Sequence, residues 1–251
     1  MNENPIPAGH FRDLAERSFR QNIYTFTEFL GDAQIGLLMN LEKELSYAGI
    51  TLFGGTEHAG RVIARFGRAA DLGYEAEFPI VCLEITPLSE KFSEELNHRD
   101  YLGALMNLGI RRELLGDILV QDKKAYLFCL DHIADYIKGS LTQVRHTRVR
   151  VTRPDKIPEE AAVKLEPQPV IVSSERADAV ISKFCNLSRS QSQNLFREGK
   201  ILINGQECGD GSHLLKKEDR VSVRGFGKFL YSGAVGTTGK GRIRVLLQRF
   251  C

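Results

Sequence analysis

SERADAVISKFCNLSRSQSQNLFREGKILING, residues 174–205, is the stretch in which helix, cap and turn signals agree at consecutive positions. Ala177, Val180, Ile181 and Phe184 fall at i, i+3, i+4 and i+7. That is the stripe of a helix with one buried face, expected here over Ser174–Phe184. Asn186-Leu187 interrupts it. Ser188 has Gln191 three residues on, the capping-box pattern for a second helix running to about Glu198. Gly199 stands where a helix end needs a residue tolerant of positive φ. Lys200–Ile203 reads as a short strand, and Asn204-Gly205 is the strongest two-residue hairpin signal. Asp219–Arg224 (DRVSVR) alternates as a further strand.

The second helix carries charge in an informative place. Arg189 falls in its first turn, where the helix dipole disfavours a cation. A cation there makes sense if an anion shares the site with the free backbone N–H groups. Arg189, Gln193 and Arg197 recur at i, i+4 and i+8 and give that helix one polar, basic face. Lys200 and Arg176 are placed to extend it. Guanidinium groups suit phosphate because they bind it through two donors at once.

This string resembles the S4 RNA-binding domain. The resemblance is carried by Arg176-Ala177-Asp178, Leu187-Ser188-Arg189, Gly199-Lys200-Ile201, Ile203-Asn204-Gly205, and Asp219 with Val221, Val223 and Arg224. Ala177 departs from the leucine usual at its position. The resemblance places Arg176, Asp178, Ser188, Arg189 and Lys200 at an RNA-contacting surface, with Asp178 orienting a neighbouring arginine. Lys183 and Asn204 complete the candidates within the module.

Beyond Arg224, Gly225–Phe229 (GFGKF) and Arg242–Gln248 flank Gly236–Gly241 as the arms of a β-hairpin. Arg242 and Arg244 alternate with Ile243 and Val245, so both arginines leave the apolar face together. With Lys228 and Lys240 they would widen a phosphate-contacting surface.

The charge distribution points the same way. The 251 residues carry a net +2, but from residue 173 onward there are 14 Lys/Arg against 7 Asp/Glu, a net +7. The preceding 172 residues carry 20 against 25, a net −5. A near-neutral total that hides a basic end implies one surface meant for a polyanion.

Upstream, 78–152 reads as βαββαβ. Pro79–Ile85, Leu115–Val120, Ala125–Leu130 and Thr147–Thr152 are the strands, and Asn97–Leu108 and His132–Val144 are the helices. In Thr147–Thr152, Val149 and Val151 alternate with Arg148 and Arg150, as a half-buried strand should. The order is ferredoxin-like, an arrangement shared by RNA-recognition domains and by proteins that touch no RNA. Tyr126 and Phe128 share one face of the third strand and are candidates for base stacking, but the Lys/Arg-Gly-Phe/Tyr-Gly/Ala-Phe signature is absent, so packing is the stronger reading. Residues 10–48 read as helical, and 49–77 mix a short apolar run, a Gly54-Gly55 turn and a further helix or strand pair. This acidic block is a candidate surface for a protein partner. Four prolines within Arg153–Pro169 mark a linker that contains at most an edge strand or a short helix.

The organisation expected is α+β: a helical or mixed N-terminal domain over 1–77, a ferredoxin-like (RRM-like) domain over 78–152, a linker over 153–172, and an S4 domain with a basic β-hairpin over 173–251. Five cysteines without a CxxC pair read as reduced thiols of a cytoplasmic protein, with no metal and no cofactor. The N-terminus lacks a leader pattern, and no run reaches the ~20 apolar residues a membrane helix needs, so no membrane partner is expected.

Taken whole, the chain resembles the YlmH family of bacterial S4-domain proteins. That resemblance implies a non-catalytic role in ribosome-associated quality control. The partners implied are rRNA, tRNA and the 50S subunit with peptidyl-tRNA, and the family has also been linked to cell division. An RNA-modifying enzyme is the rival, but Arg176–Val180 lacks the sequel of a pseudouridine-synthase motif. Ala234–Gly241 departs from a P-loop at both ends.

Overall fold

The computed structural model describes residues 6–250; Met1–Pro5 and Cys251, with the readings made of them, lie outside the described residues. The described residues divide into two compact units, one lying within 6–163 and the other built mainly from Lys164 onward. The fold is α+β, with antiparallel sheets in both units.

In the first unit, α1 (Ala8–Gln21) buries Phe11 and Ala15 and ends at Asn22, whose φ of 51° is left-handed. The helix expected across 10–48 is therefore broken. After Asn22 the β-branched and aromatic run Ile23–Thr27 favours extended backbone, giving β1 (Thr25–Phe26) before α2 (Asp32–Asn40) begins. There follow β2 (Ile50–Phe53), β3 (Ile63–Phe66) and the single turn α3 (Ala69–Leu72). The three strands form a sheet in the order β1-β3-β2.

The rest of the unit follows the expected βαββαβ order: β4 (Ile80–Pro87), α4 (His98–Asn107), β5 (Leu115–Gln121), β6 (Lys124–Leu130), α5 (Asp131–Ser140) and β8 (Thr147–Thr152), with one addition. The second helix stops at Ser140 rather than Val144, and Gln143–Val144 becomes a short strand, β7. It turns into β8 through Arg145 at φ 51°. The sheet order is β5-β6-β4-β8-β7, all antiparallel. One face carries Leu83, Ile85, Leu127, Val149 and Val151 against the helices. The other carries Cys82, Tyr126, Phe128 and Leu130, and these pack with Phe29 and Ile63 of the N-terminal block and with Ala161.

The second unit begins in the expected linker, where Leu165–Val172 forms β9, the edge strand of a six-stranded sheet. Next come α6 (Ala177–Phe184), α7 (Arg189–Arg197), β10 (Ile201–Ile203), β11 (Gln206–Glu207), β12 (Arg220–Val223), β13 (Gly227–Thr237) and β14 (Ile243–Phe250). Their order is β11-β10-β12-β13-β14-β9. Pro167 and Pro169 are tolerable because β9 is an edge. Being two apart, they aim their missing donors at the same side of the strand, and a proline-bearing edge resists further pairing. α6 and α7 share one core with Val221, Val223, Phe229, Tyr231, Val245 and Leu247 of the sheet. α6 starts three residues later than expected, because Ala177 and Asp178 donate their N–H groups to His213 and Gly211 carbonyls (2.8 and 2.9 Å).

Candidate nucleic-acid interface

The turn between α6 and α7 sets the site. Asn186 takes φ 55° and Leu187 N–H donates to the Ser182 carbonyl at 2.8 Å, so the chain reverses sharply. Ser188 then caps α7 as its sequence requires: its Oγ accepts from Gln191 N–H at 3.3 Å, and its own N–H donates to Gln191 Oε1 at 2.9 Å. The helix is pinned from below, where Ser192, Leu195 and Phe196 are buried and Ser192 Oγ donates to the Asp178 carbonyl at 3.2 Å. The opposite face is left to solvent, and on it stand Arg189, Gln193 and Arg197, with Arg197 making one long contact to Asn194 at 3.4 Å.

Beside the α7 N-terminus lies an open cleft of about 350 Å³. Lys183 from α6, Ser188 and Arg189 from the cap, and Arg242 from the turn of the β13–β14 hairpin line it, together with Ile171 and Leu187. The Lys183, Arg189 and Arg242 side chains are exposed and engage no carboxylate among the described residues. Three cations facing one cleft, at the positive end of a helix dipole, repel one another, and an anion between them relieves that.

Arg176 is held differently. Its Nε and Nη2 donate to the two oxygens of Asp178 at 3.1 and 2.8 Å. Asp178 is 5% exposed and Arg176 42%, so the carboxylate is fixed and the guanidinium reaches outward. Two of the five guanidinium N–H donors are used in this fork and three remain. Hydrogen bonds from Ser212, with the nearby Arg176 charge, hold Asp210 below the usual carboxylate range.

The other expected site residues are dispersed. Lys200 pairs with Glu198 at 2.6 Å at the far end of α7. Asn204 sits at φ 51° in the hairpin turn with both side-chain groups engaged, donating to Asp219 Oδ1 (2.8 Å) and accepting from Arg220 N–H (2.9 Å). Arg244 lies opposite Ile171 and alternates with Val245, so it leaves on the sheet face away from the helices. Lys228 is half-buried opposite Ser222, and Lys240 is exposed at the hairpin tip. Arg224, which the sequence offered as part of the S4 resemblance but not as a site residue, is exposed, and its N–H donates to the Lys200 carbonyl at 2.9 Å. Residues 220–250 contain seven Lys/Arg and no Asp or Glu, in keeping with the basic hairpin expected from the sequence.

For Tyr126 and Phe128 the structure bears out packing, the stronger reading, over base stacking. Tyr126 is 3% and Phe128 0% exposed. The block before β4 covers them: Gly55 lies so close that an added Cβ would sit 2.3 Å from Phe128 Cδ1. Arg61, itself buried, donates to the Leu115 and Phe29 carbonyls at 2.9 Å and closes that layer. Among the described residues no group of three or more His, Cys, Asp or Glu is placed to hold a metal ion. No described helix is long and apolar enough to cross a membrane.

Residues 74–156 match the family described as the putative RNA-binding domain in YlmH, and residues 175–221 match the S4 domain. A curated protein of Bacillus subtilis, "Ribosome-associated protein quality control protein P2", is 28% identical over 243 residues, covering 95% of this chain and 91% of that protein. The solved structure "Cell division protein ylmH from Streptococcus pneumoniae" covers 61% of this chain and 94% of its own, with 24% identity and a TM-score of 0.46.

Proposed function

We propose, from a chain that joins a YlmH-type RNA-binding domain to an S4 domain, that it binds rRNA and tRNA without catalysis, on a large ribosomal subunit that carries peptidyl-tRNA. The observation that carries the reading is the cleft at the α7 N-terminus, where Lys183, Arg189 and Arg242 converge beside the capped Ser188. Its shape is open and its donors are cations and helix amides, which suits a sugar-phosphate backbone rather than an enclosed small substrate. The exposed Arg189–Gln193–Arg197 face leads from the cleft along α7, and Arg176, steadied by Asp178, is a further cation at the start of α6. The choice of ribosomal RNA follows the resemblance to the B. subtilis quality-control protein. A cytoplasmic site of action follows from the same reading.

The test is co-sedimentation with separated 30S, 50S and 70S particles, with and without peptidyl-tRNA on the 50S. The wild type should pellet preferentially with the tRNA-carrying 50S. The Arg189→Ala/Arg197→Ala variant should not, and salt should weaken the wild-type interaction. Failure of the folded wild type to bind any particle overturns the proposal.

A further inference from the structure

β8 carries two arginines that the cleft does not use. Val149 and Val151 point into the helix-covered core, so Arg148 and Arg150 share the opposite sheet face and both are exposed. Neither engages a carboxylate among the described residues. The inner half of that face is closed by the N-terminal block over Tyr126 and Phe128, while the outer half stays open. There Arg150 stands opposite Thr86 on β4, and Arg148 opposite Gln143 on β7. Leu88 continues β4, its N–H donating to the Arg148 carbonyl at 2.9 Å, and its side chain is 55% exposed. The carboxylate of the same face, Glu84, is taken up by Lys124 at 3.1 Å. Glu160 lies near that pair. The outer half thus presents two uncompensated cations, amide and hydroxyl donors, and one apolar side chain, on a chain whose first 172 residues are net acidic.

We infer that this outer half-face is a second RNA contact, which Arg148 and Arg150 make to successive phosphates of one strand with Leu88 against a ribose or base. The i, i+2 spacing on a strand is about 6.6 Å, comparable with the step between neighbouring phosphates. Recognition here is of backbone and not of sequence, because the aromatic platform that would stack bases is buried. The inference deepens the reading above and rests on it for the choice of RNA as the polyanion.

The full chain would be photo-crosslinked to a single-stranded RNA in which 4-thiouridine replaces uridine, and crosslinked peptides mapped by mass spectrometry. Crosslinks are expected within 86–88 or 147–152 as well as around 183–189. Arg148→Gln/Arg150→Gln should lose the first set, keep the second, and weaken binding roughly tenfold at about 0.15 M salt, the counterion release of two contacts. Glutamine keeps the strand's alternation, and an unchanged melting temperature verifies the fold. If crosslinks fall only around 183–189 and the double variant binds as the wild type does, the inference is refuted while the cleft stands. If the wild type binds no RNA, both fall.

Discussion

Replacing Lys183, Arg189 and Arg242 together by glutamine tests the cleft where its physics is most exposed. All three side chains line one open cavity without a protein counter-ion among the described residues, so the change removes charge without stranding a buried partner. Each phosphate contact releases condensed counterions, with a log–log salt slope of about −0.9 per contact on a duplex and −0.7 on a single strand. If all three cations touch phosphate, the slope becomes shallower by about 2.7 on a duplex or about 2.1 on a single strand. Referred to 1 M salt, the loss near 0.15 M is on the order of a hundredfold, about 3 kcal/mol. The assay is fluorescence anisotropy of a labelled RNA stem–loop across a KCl series. The control is Lys43→Gln/Lys138→Gln/Lys156→Gln, which makes the same charge change on exposed lysines of the first unit. If the control shifts the slope as much as the cleft variant does, the cations act through net charge alone and the convergence in the cleft means nothing. If neither moves it, the RNA binds elsewhere.

Ser188→Ala removes the α7 cap acceptor and should cost about 1 kcal/mol, lowering the melting temperature of the S4 unit by about 4–8 °C, read by circular dichroism. Phe128→Ala should destabilise the first unit by about 3–5 kcal/mol in urea titrations, yet leave RNA affinity unchanged under conditions where the unit remains folded. A loss of affinity there would mean the aromatic face is reached by RNA after all. Asp178→Asn should reduce binding less than Arg176→Gln does, because Asp178 fixes the guanidinium without touching RNA; equal losses would give Asp178 a direct role. Burial pushes the Cys82 and Cys129 thiols up to about 12 from an ordinary value of 9.0. The folded state therefore keeps these protons while the unfolded chain loses them. That stabilisation is complete below about pH 9 and is lost as pH rises towards 12, by about 1 kcal/mol per thiol at pH 10. Guanidinium melts at pH 8 and 10 measure it, and equal stabilities would refute the burial argument.

What could be read from sequence tracks how local the deciding interaction is. Ser188 with Gln191 closes its cap within four residues, and Asn204-Gly205 sets its turn within two, at φ 51° and 79°. The β8 alternation of valine and arginine is similarly self-sufficient, and the structure reproduces Thr147–Thr152 as expected. The N-terminal block failed because its helical spacings are satisfied by residues that do different work. Phe29 belongs to a loop that plugs the second face of the β4–β8 sheet, a contact with residues about a hundred positions away. A local signal of that plug was nevertheless present in β6. Ala125–Leu130 (AYLFCL) is an unbroken apolar run, and a strand with one wet face alternates instead. Reading Tyr126 and Phe128 as an open stacking platform required polar neighbours that the strand lacks. β8 has those neighbours, which is why an RNA contact on this sheet falls at Arg148 and Arg150 rather than on its central aromatics. The face that β6 fills with buried apolar side chains carries exposed arginines two strands away at β8, so a single face has a sealed half that stabilises and an open half that is free to bind.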